Sequence, residues 1–435
     1  MRLYQRRLLL LCTAAAGMVV VLYTLLQTAS VQTLRTTTSI WLTKQNMNLC
    51  RFSKLPMLFE HSNDYYYVVW ETTCTSGAPL LEWWADDSTR FSIEPWYRQI
   101  DHTHHRYTAI FGPVSNASQV HYRINNYRFS TKQYTITRRT KYEPHRVLVI
   151  ADNQDGPSEF RKILTSIRRY YGASSNPDTI LHVGDAVQTA SHLDDWQRQL
   201  FAPLEDRNSL QHTTPTIFVP GNHDHDKRRV PNNSNIYMDM YHGINDTDGL
   251  GKIAVTNGSY HQFYHSVSIG CAQVIVLDAE CPSPEQSEFL LQELQSEAFQ
   301  SARFRIIAVH IPPYMEFWDP YAWEHKGEKH WGEHVRLEYD PLFRKYNVDL
   351  VISGHQHNYQ RSTVHRAPAS GLSDTITYAI VGGAGGTLDL ERVEDRNMYN
   401  ATYLGHHFVA LDISKQSLRW TALNVDGRII DQFKL

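Results

Sequence analysis

The sequence predicts an α/β domain preceded by a smaller all-β sandwich and, at the extreme N-terminus, a single transmembrane helix. Three observations carry this. An uncharged run follows a cluster of arginines; the segment up to about Thr137 is built of short aromatic and β-branched stretches; and from about Arg146 onward, runs of Val, Ile and Leu alternate with helix-compatible segments.

Residues 1–7 carry Arg2, Arg6 and Arg7, and Leu8 to Leu26 bears no charge. As a helix these nineteen residues reach about 28 Å, close to one hydrocarbon thickness. The run exceeds the apolar core of a signal peptide, so residues 8–27 read as an uncleaved anchor, 1–7 as a cytoplasmic tail and 28–50 as a polar stalk. The expectation is a single-pass type II membrane protein of the secretory pathway with a lumenal or extracellular body. Cleavage at the small residues Thr28, Ala29 and Ser30 would give a secreted protein instead. Sequons at Asn116, Asn232, Asn245, Asn257 and Asn400 agree with a lumenal body. So does an even set of cysteines outside the span, Cys50, Cys74, Cys271 and Cys281. Sequence proximity pairs Cys50 with Cys74 and Cys271 with Cys281, one of three pairings open to four cysteines; four buried thiols are the alternative.

Over residues 51–139, "DYYYVVWET", "PLLEWWADD", "HHRYTAIFG", "VHYRIN" and "RFSTKQYTIT" are separated by Asn, Ser, Gly and Pro clusters, as in an antiparallel sandwich. The cluster "HTHHR" at His102 to Arg106 reads as surface. The charged, Pro-containing "RRTKYEPH" places a linker at 140–145. From 146 to 435, "RVLVIAD", "TILHVGD", "TIFVPGNHD", "QVIVLDAE", "RIIAVH" and "DLVISGHQH" have the unbroken apolar character of strands buried on both faces, with helices over Glu159 to Tyr171 and Pro284 to Phe299.

Composition removes several functional classes. With 42 Lys plus Arg against 45 Asp plus Glu the net charge is −3, so no nucleic-acid partner is expected. A 42% hydrophobic, 20% charged chain is not a disordered one, and five cysteines are too few for a disulfide-built scaffold. Oligomeric state stays open.

The chemistry sits where the strands stop. Five of the six runs end on a candidate ligand: Asp152, Asp185, Asn222 with His223, His310, and His355 with His357. In α/β sheets such positions converge outside the carboxyl ends of the strands. A lone Asp there is usually a cap and a lone His a satisfied core residue, but a series of oxygen and imidazole donors asks for a metal site. The absence of cysteine from the set argues against a structural zinc site and for Fe, Mn or Zn, singly or as a mixed pair. Two cations need a carboxylate between them, and such a pair suits hydrolysis of a phosphate ester.

The ordered motifs "ADNQ", "GDAVQ", "GNHD", "AVHIP" and "GHQHNYQRS" resemble the calcineurin-like metallophosphoesterases, and the last, with "YAIVGGAGG" downstream, is most similar to the purple acid phosphatases. The resemblance covers about Arg146 to Gly386. It implies a four-layer α/β/β/α catalytic sandwich, and the preceding segment resembles the fibronectin-III-like domain of large purple acid phosphatases. It also implies two metal ions (Fe, Mn or Zn), one held by Asp152, Asp185 and His357, the other by Asp185, Asn222, His310 and His355, with Asp185 as the bridge. His223 would face the phosphate-ester substrate, stabilising its oxygens or protonating the leaving group. Two positions depart from the pattern. Gln188 stands where purple acid phosphatases place a tyrosine ligand, and Gln154 where other members place a histidine. Either amide could donate a carbonyl oxygen, water could fill the gap, or both could merely hydrogen-bond to the ligands. The consequence is a less anionic first site, suited to divalent ions. In the aromatic segment after His310, His325 and His330 are candidate substrate contacts or solvated loop residues. The functional expectation is a membrane-tethered phosphomonoesterase. A phosphodiesterase of the same superfamily, or an inactive anchored binding protein, are the alternatives.

Overall fold

The structure is a computed structural model and describes residues 50–62, 64–75, 79–86, 89–114, 117–126, 129–172, 175–207, 210–225, 263–280, 282–317, 331–365, 375–393 and 398–435. The expected anchor and stalk lie outside these residues, except for Cys50. Among the described residues no helix is long and apolar enough to cross a membrane.

Among the described residues, eight strands form the N-terminal region: β1 (Phe52–Ser62), β2 (Tyr65–Thr72), β3 (Leu80–Ala85), β4 (Phe91–Ile93), β5 (Trp96–Gln99), β6 (His105–Phe111), β7 (Gln119–Asn125) and β8 (Tyr134–Thr137). Beyond them come β9 (His145–Ile150), β10 (Thr179–His182), β11 (Thr216–Phe218), β12 (His265–Ile269), β13 (Ala272–Leu277), β14 (Phe304–Val309), β15 (Leu350–Ser353) and β16 (Tyr359–His365). The last five are β17 (Thr375–Val381), β18 (Ala401–Tyr403), β19 (His407–Ile413), β20 (Leu418–Asn424) and β21 (Ile429–Lys434). They assemble into a ten-stranded sheet (β21-β20-β19-β9-β10-β11-β1-β2-β6-β5), a seven-stranded sheet (β12-β13-β14-β15-β17-β16-β18) and a four-stranded sheet (β4-β3-β7-β8).

The six apolar runs are thus divided between two sheets, and the period-2 alternation of a strand explains why each is apolar throughout. Val147 and Val149 of β9, Leu181 of β10 and Ile217 of β11 pack against Val274 and Val276 of β13, Ile306 and Ala308 of β14, and Leu350 and Ile352 of β15. The alternate residues Leu148, Ile150, Ile180 and Phe218 face α1 (Pro157–Tyr171) through Phe160, Ile163, Leu164 and Ile167, one stripe at helical spacing. On the far side, Ile275, Ile307, Val309 and Val351 meet Phe289, Leu290 and Leu294 of α2 (Pro284–Gln295) and the helical residues Val335, Tyr339 and Phe343. The layers are therefore helix, sheet, sheet, helix. Helix α2 starts where expected because Ser283 caps the Gln286 N–H and Pro284 occupies the first turn.

In the N-terminal region, Leu58, Val68, Trp70, Tyr107, Ala109 and Phe111 pack on Leu81, Trp83, Val120, Tyr122, Ile124 and Ile136 of the four-stranded sheet. The segment expected as a linker, 140–145, joins halves that share hydrogen bonds, since β1 pairs in parallel with β11 at Phe59 and Thr216. Residues Phe52–Leu435 form one compact unit. Strand β1 escapes the sequence reading because Pro56 and register shifts between Lys54 and Met57 break its alternation.

Two expectations are corrected. Cys50 and Cys74 are each disulfide-bonded, but Cys271 is a free thiol, so it forms no bridge with Cys281, which lies outside the described residues. Cys271 directly precedes β13 and is partly buried there. Nor is "HTHHR" all surface: His105 and Arg106 open β6 and are buried, because Arg106 and Lys54 both ion-pair with the buried Glu71.

Candidate metal centre

Asp152 follows β9 by two residues, Asp185 follows β10 by three, Asn222 follows β11 by four, His310 directly follows β14, and His355 follows β15 by two. All five are buried, and His357 is 16% exposed. The turns that present them are tight. Asp152, Asp185 and His355 adopt φ of 60°, 53° and 71°, a left-handed conformation that costs a non-glycine residue about 1–2 kcal/mol and marks a site where geometry outranks local stability. Glycine is required where these turns touch. A Cβ on Gly221 would lie 2.2 Å from Asp185 Oδ1, and one on Gly354 2.4 Å from Asp152 Oδ2.

The donor atoms meet. His310 Nε2 lies 3.2 Å from Asp185 Oδ2 and 3.9 Å from Asp152 Oδ1, and His357 Nε2 lies 3.4 Å from Asp152 Oδ1. Asn222 Oδ1 is 2.9 Å from His355 Nδ1, and the His355 N–H donates to both oxygens of Asp152 at 3.0 Å. Donor atoms of Asp185, His310 and His355 all fall within 4.8 Å of one another. Atoms bound at about 2.1 Å to one cation are separated by about 3.0 Å at a right angle and about 3.4 Å at a tetrahedral angle. The measured separations have that spacing, so the residues fit a cation pair.

Ring orientation is set from behind. His310 Nδ1 donates to Val183 O at 2.7 Å and His357 Nδ1 to Thr387 O at 2.6 Å, which directs each Nε2 to the carboxylates. Buried His310 Nε2 makes no hydrogen bond among the described residues. Burial pushes the His310 imidazole down, but the charges of Asp185 and Asp152 outweigh it and raise it to about 10. The same opposition, with Asp152 as partner, raises His357 to about 9. Burial raises Asp152 above the usual carboxylate range, and raises Asp185 less than His310 and His223 lower it, leaving Asp185 well below.

The two candidate glutamines take different places. Gln188 is exposed, and its amide reaches His223 Nδ1 at 3.4 Å; His223 Nδ1 also lies 2.9 Å from the Gln188 carbonyl, which leaves Nε2 as its outward nitrogen. Gln154 is buried inside the donor cluster. His325, His330 and the sequons Asn116, Asn232, Asn245 and Asn257 lie outside the described residues, whereas Asn400 is exposed beside β18.

The structure adds residues that the motif reading passed over. Asp224 accepts the N–H groups of Asp185 (2.7 Å), Ala186 (2.9 Å) and Gly221 (3.0 Å), tying the loop after β10 to the loop after β11. Burial and the Asp185 charge push its carboxyl up to about 7. Beneath it, Asn153 bonds His182 and the carbonyls of Ala186 and Gln199, and Gln199 Oε1 accepts from Asp155 and Gln188. Asp224 was legible as the last letter of "GNHD". Gln199 was not, since nothing in a helical sequence marks a glutamine that turns inward.

Residues 145–359 match the calcineurin-like phosphoesterase family. The chain is 26% identical over 318 residues to probable inactive purple acid phosphatase 1 of Arabidopsis thaliana, covering 65% of this chain and 47% of that one. It is 30% identical over 158 residues to Fe(3+)-Zn(2+) purple acid phosphatase 12 of the same plant, covering 34% of this chain and 29% of the other. The chain thus spans about half or less of the length of these relatives. The structure of purple acid phosphatase PPD1 from yellow lupin (Lupinus luteus) seeds superposes with a TM-score of 0.68 at 17% identity, covering 87% of this chain and 73% of that one, a likeness of fold.

Proposed function

Because this chain carries a calcineurin-like metallophosphoesterase domain with purple acid phosphatases among its relatives, we propose that it hydrolyses phosphate monoesters at a two-cation centre. The observation that carries the proposal is the convergence of Asp152, Asp185, Asn222, His310, His355 and His357, from both sheets, on one buried point. Asp152, Asp185 and His357 would hold one ion, and Asp185, Asn222, His310 and His355 the other. When bound, the ions supply Lewis acidity and a nucleophile at neutral pH.

The chain's own groups do the remaining work. His223 Nε2 is free to meet the ester, where it hydrogen-bonds a phosphoryl oxygen or delivers a proton to the leaving alcohol. Asp224 holds Asp185 in its left-handed turn, so that the Asp185 carboxylate keeps its place as charge shifts during the reaction. The membrane-tethered, lumenal arrangement is also part of the proposal, resting on Arg2, Arg6 and Arg7 ahead of Leu8 to Leu26 and on the exposed sequon Asn400.

The test is hydrolysis of a chromogenic phosphomonoester and its matching diester by the purified full chain, with Asp185→Asn as control. Turnover of the monoester, nearly abolished in the variant, supports the proposal. Turnover of the diester alone makes the chain a phosphodiesterase, and turnover of neither by cation-loaded protein makes it a binding protein. Retention in the membrane pellet after alkaline carbonate, with a glycosidase-sensitive mass shift reduced in Asn400→Gln, tests the placement.

A further inference from the structure

Beside the imidazole nitrogens of the centre stands a buried amide. Gln154 is 1% exposed, and its Oε1 has no hydrogen-bond partner among the described residues. The other terminal atom, Nε2, lies 3.0 Å from Asp185 Oδ2 and 3.2 Å from His357 Nε2. In that orientation the amide N–H groups occupy the very lone pairs that a cation between Asp185 and His357 needs.

An amide can be turned. A half-turn about its terminal torsion exchanges oxygen and nitrogen with almost no change of shape. The carbonyl oxygen then stands about 3.0 Å from one donor and about 3.2 Å from the other, the separation of neighbouring ligands on one ion. The backbone holds the residue there, since the Gln154 N–H donates to Asp185 O at 3.3 Å.

We infer that Gln154 Oε1 is a ligand of the cation held by Asp152, Asp185 and His357. It completes that site with a neutral oxygen, so the site takes a divalent ion, its anionic charge coming only from Asp152 and the shared Asp185. The inference rests on the two-cation reading above.

The experiment titrates Mn2+ into the chelator-stripped full chain, with calorimetry for affinity and electron paramagnetic resonance for the number of ions bound. Wild type binds two. Gln154→Leu fills the same volume without a donor and weakens one of the two ions by roughly tenfold or more, leaving the other unchanged, and Gln154→Glu restores two-ion binding. If Gln154→Leu does not fold, as judged by loss of a cooperative thermal transition, Gln154→Ala makes the same measurement. A leucine or alanine variant that binds both ions as tightly as wild type overturns the ligand role and leaves the two-cation reading standing. A wild type that binds fewer than two ions removes both.

Discussion

Removing the Asp224 carboxylate separates the support of the centre from the centre itself. Its two oxygens accept three backbone N–H groups: Oδ2 takes those of Asp185 and Gly221, and Oδ1 that of Ala186. In Asp224→Ala all three lose their acceptor in a buried place, at about 1–2 kcal/mol each, or about 3–6 kcal/mol in all. Part of that is returned. Burial and the charge of Asp185 already oppose ionisation of Asp224, and the alanine relieves this. A net loss of about 2–4 kcal/mol follows. Asp224→Asn keeps one carbonyl oxygen, enough for Asp185 and Gly221 when it takes the Oδ2 position, and turns an amide donor toward Ala186 N. One bond is lost, at about 1–2 kcal/mol. The effect on rate follows from position. Asp185 sits at φ 53° with Gly221 pressed against its Oδ1, so a loosened loop moves the Asp185 carboxylate, and a shift of about 1 Å can cost about 100-fold. Denaturant unfolding of wild type and both variants, beside kcat/KM on a phosphomonoester, gives the ranking wild type, Asn, Ala in both quantities. An alanine variant with wild-type midpoint and wild-type kcat/KM would refute the reasoning.

Three further outcomes are expected. His182, His212 and His407 are buried and held neutral, lowered by burial to about 3, 4 and 4 from 6.5, so their stabilisation is complete above pH 6.5 and lost as pH falls toward 4. Each contributes up to about 1.4 kcal/mol per pH unit, and a denaturant midpoint that is flat from pH 6.5 to 4.5 contradicts this. His310 and His357, raised to about 10 and 9 when no cation shields them, carry Nε2 protons at pH 7 that a cation must displace. Cation binding therefore releases roughly two protons and tightens as pH rises; calorimetry in buffers of different ionisation enthalpy reads the number, and zero release is the refuting value. Gln188 offers no phenolate, so concentrated iron-loaded protein shows no visible charge-transfer band, and a purple preparation would contradict its place in the site.

Much of the centre was readable in one dimension. A strand buried on both faces must be apolar throughout, so the polar residue that ends it stands out; Asp152, Asp185, His310 and His355 were visible for that reason. Helices α1 and α2 were visible by their period and their prolines. These are local properties, and local properties are written in neighbouring residues.

What the tertiary structure decided is everything that depends on a partner far along the chain. The six apolar runs could have filled one sheet, and their division into two facing sheets follows from pairing that no single strand specifies. The N-terminal strands were visible as a sandwich, but the joining of β1 to β11 through Phe59 and Thr216 was not. Cys271 was paired with Cys281 by nearness in number, yet its thiol is free. Gln154 and Gln188 were equal candidates by residue type, yet one lies among the donors and the other at the surface beside His223. A side chain's chemistry is set by the atoms around it, and those come from residues 30 to 200 positions away.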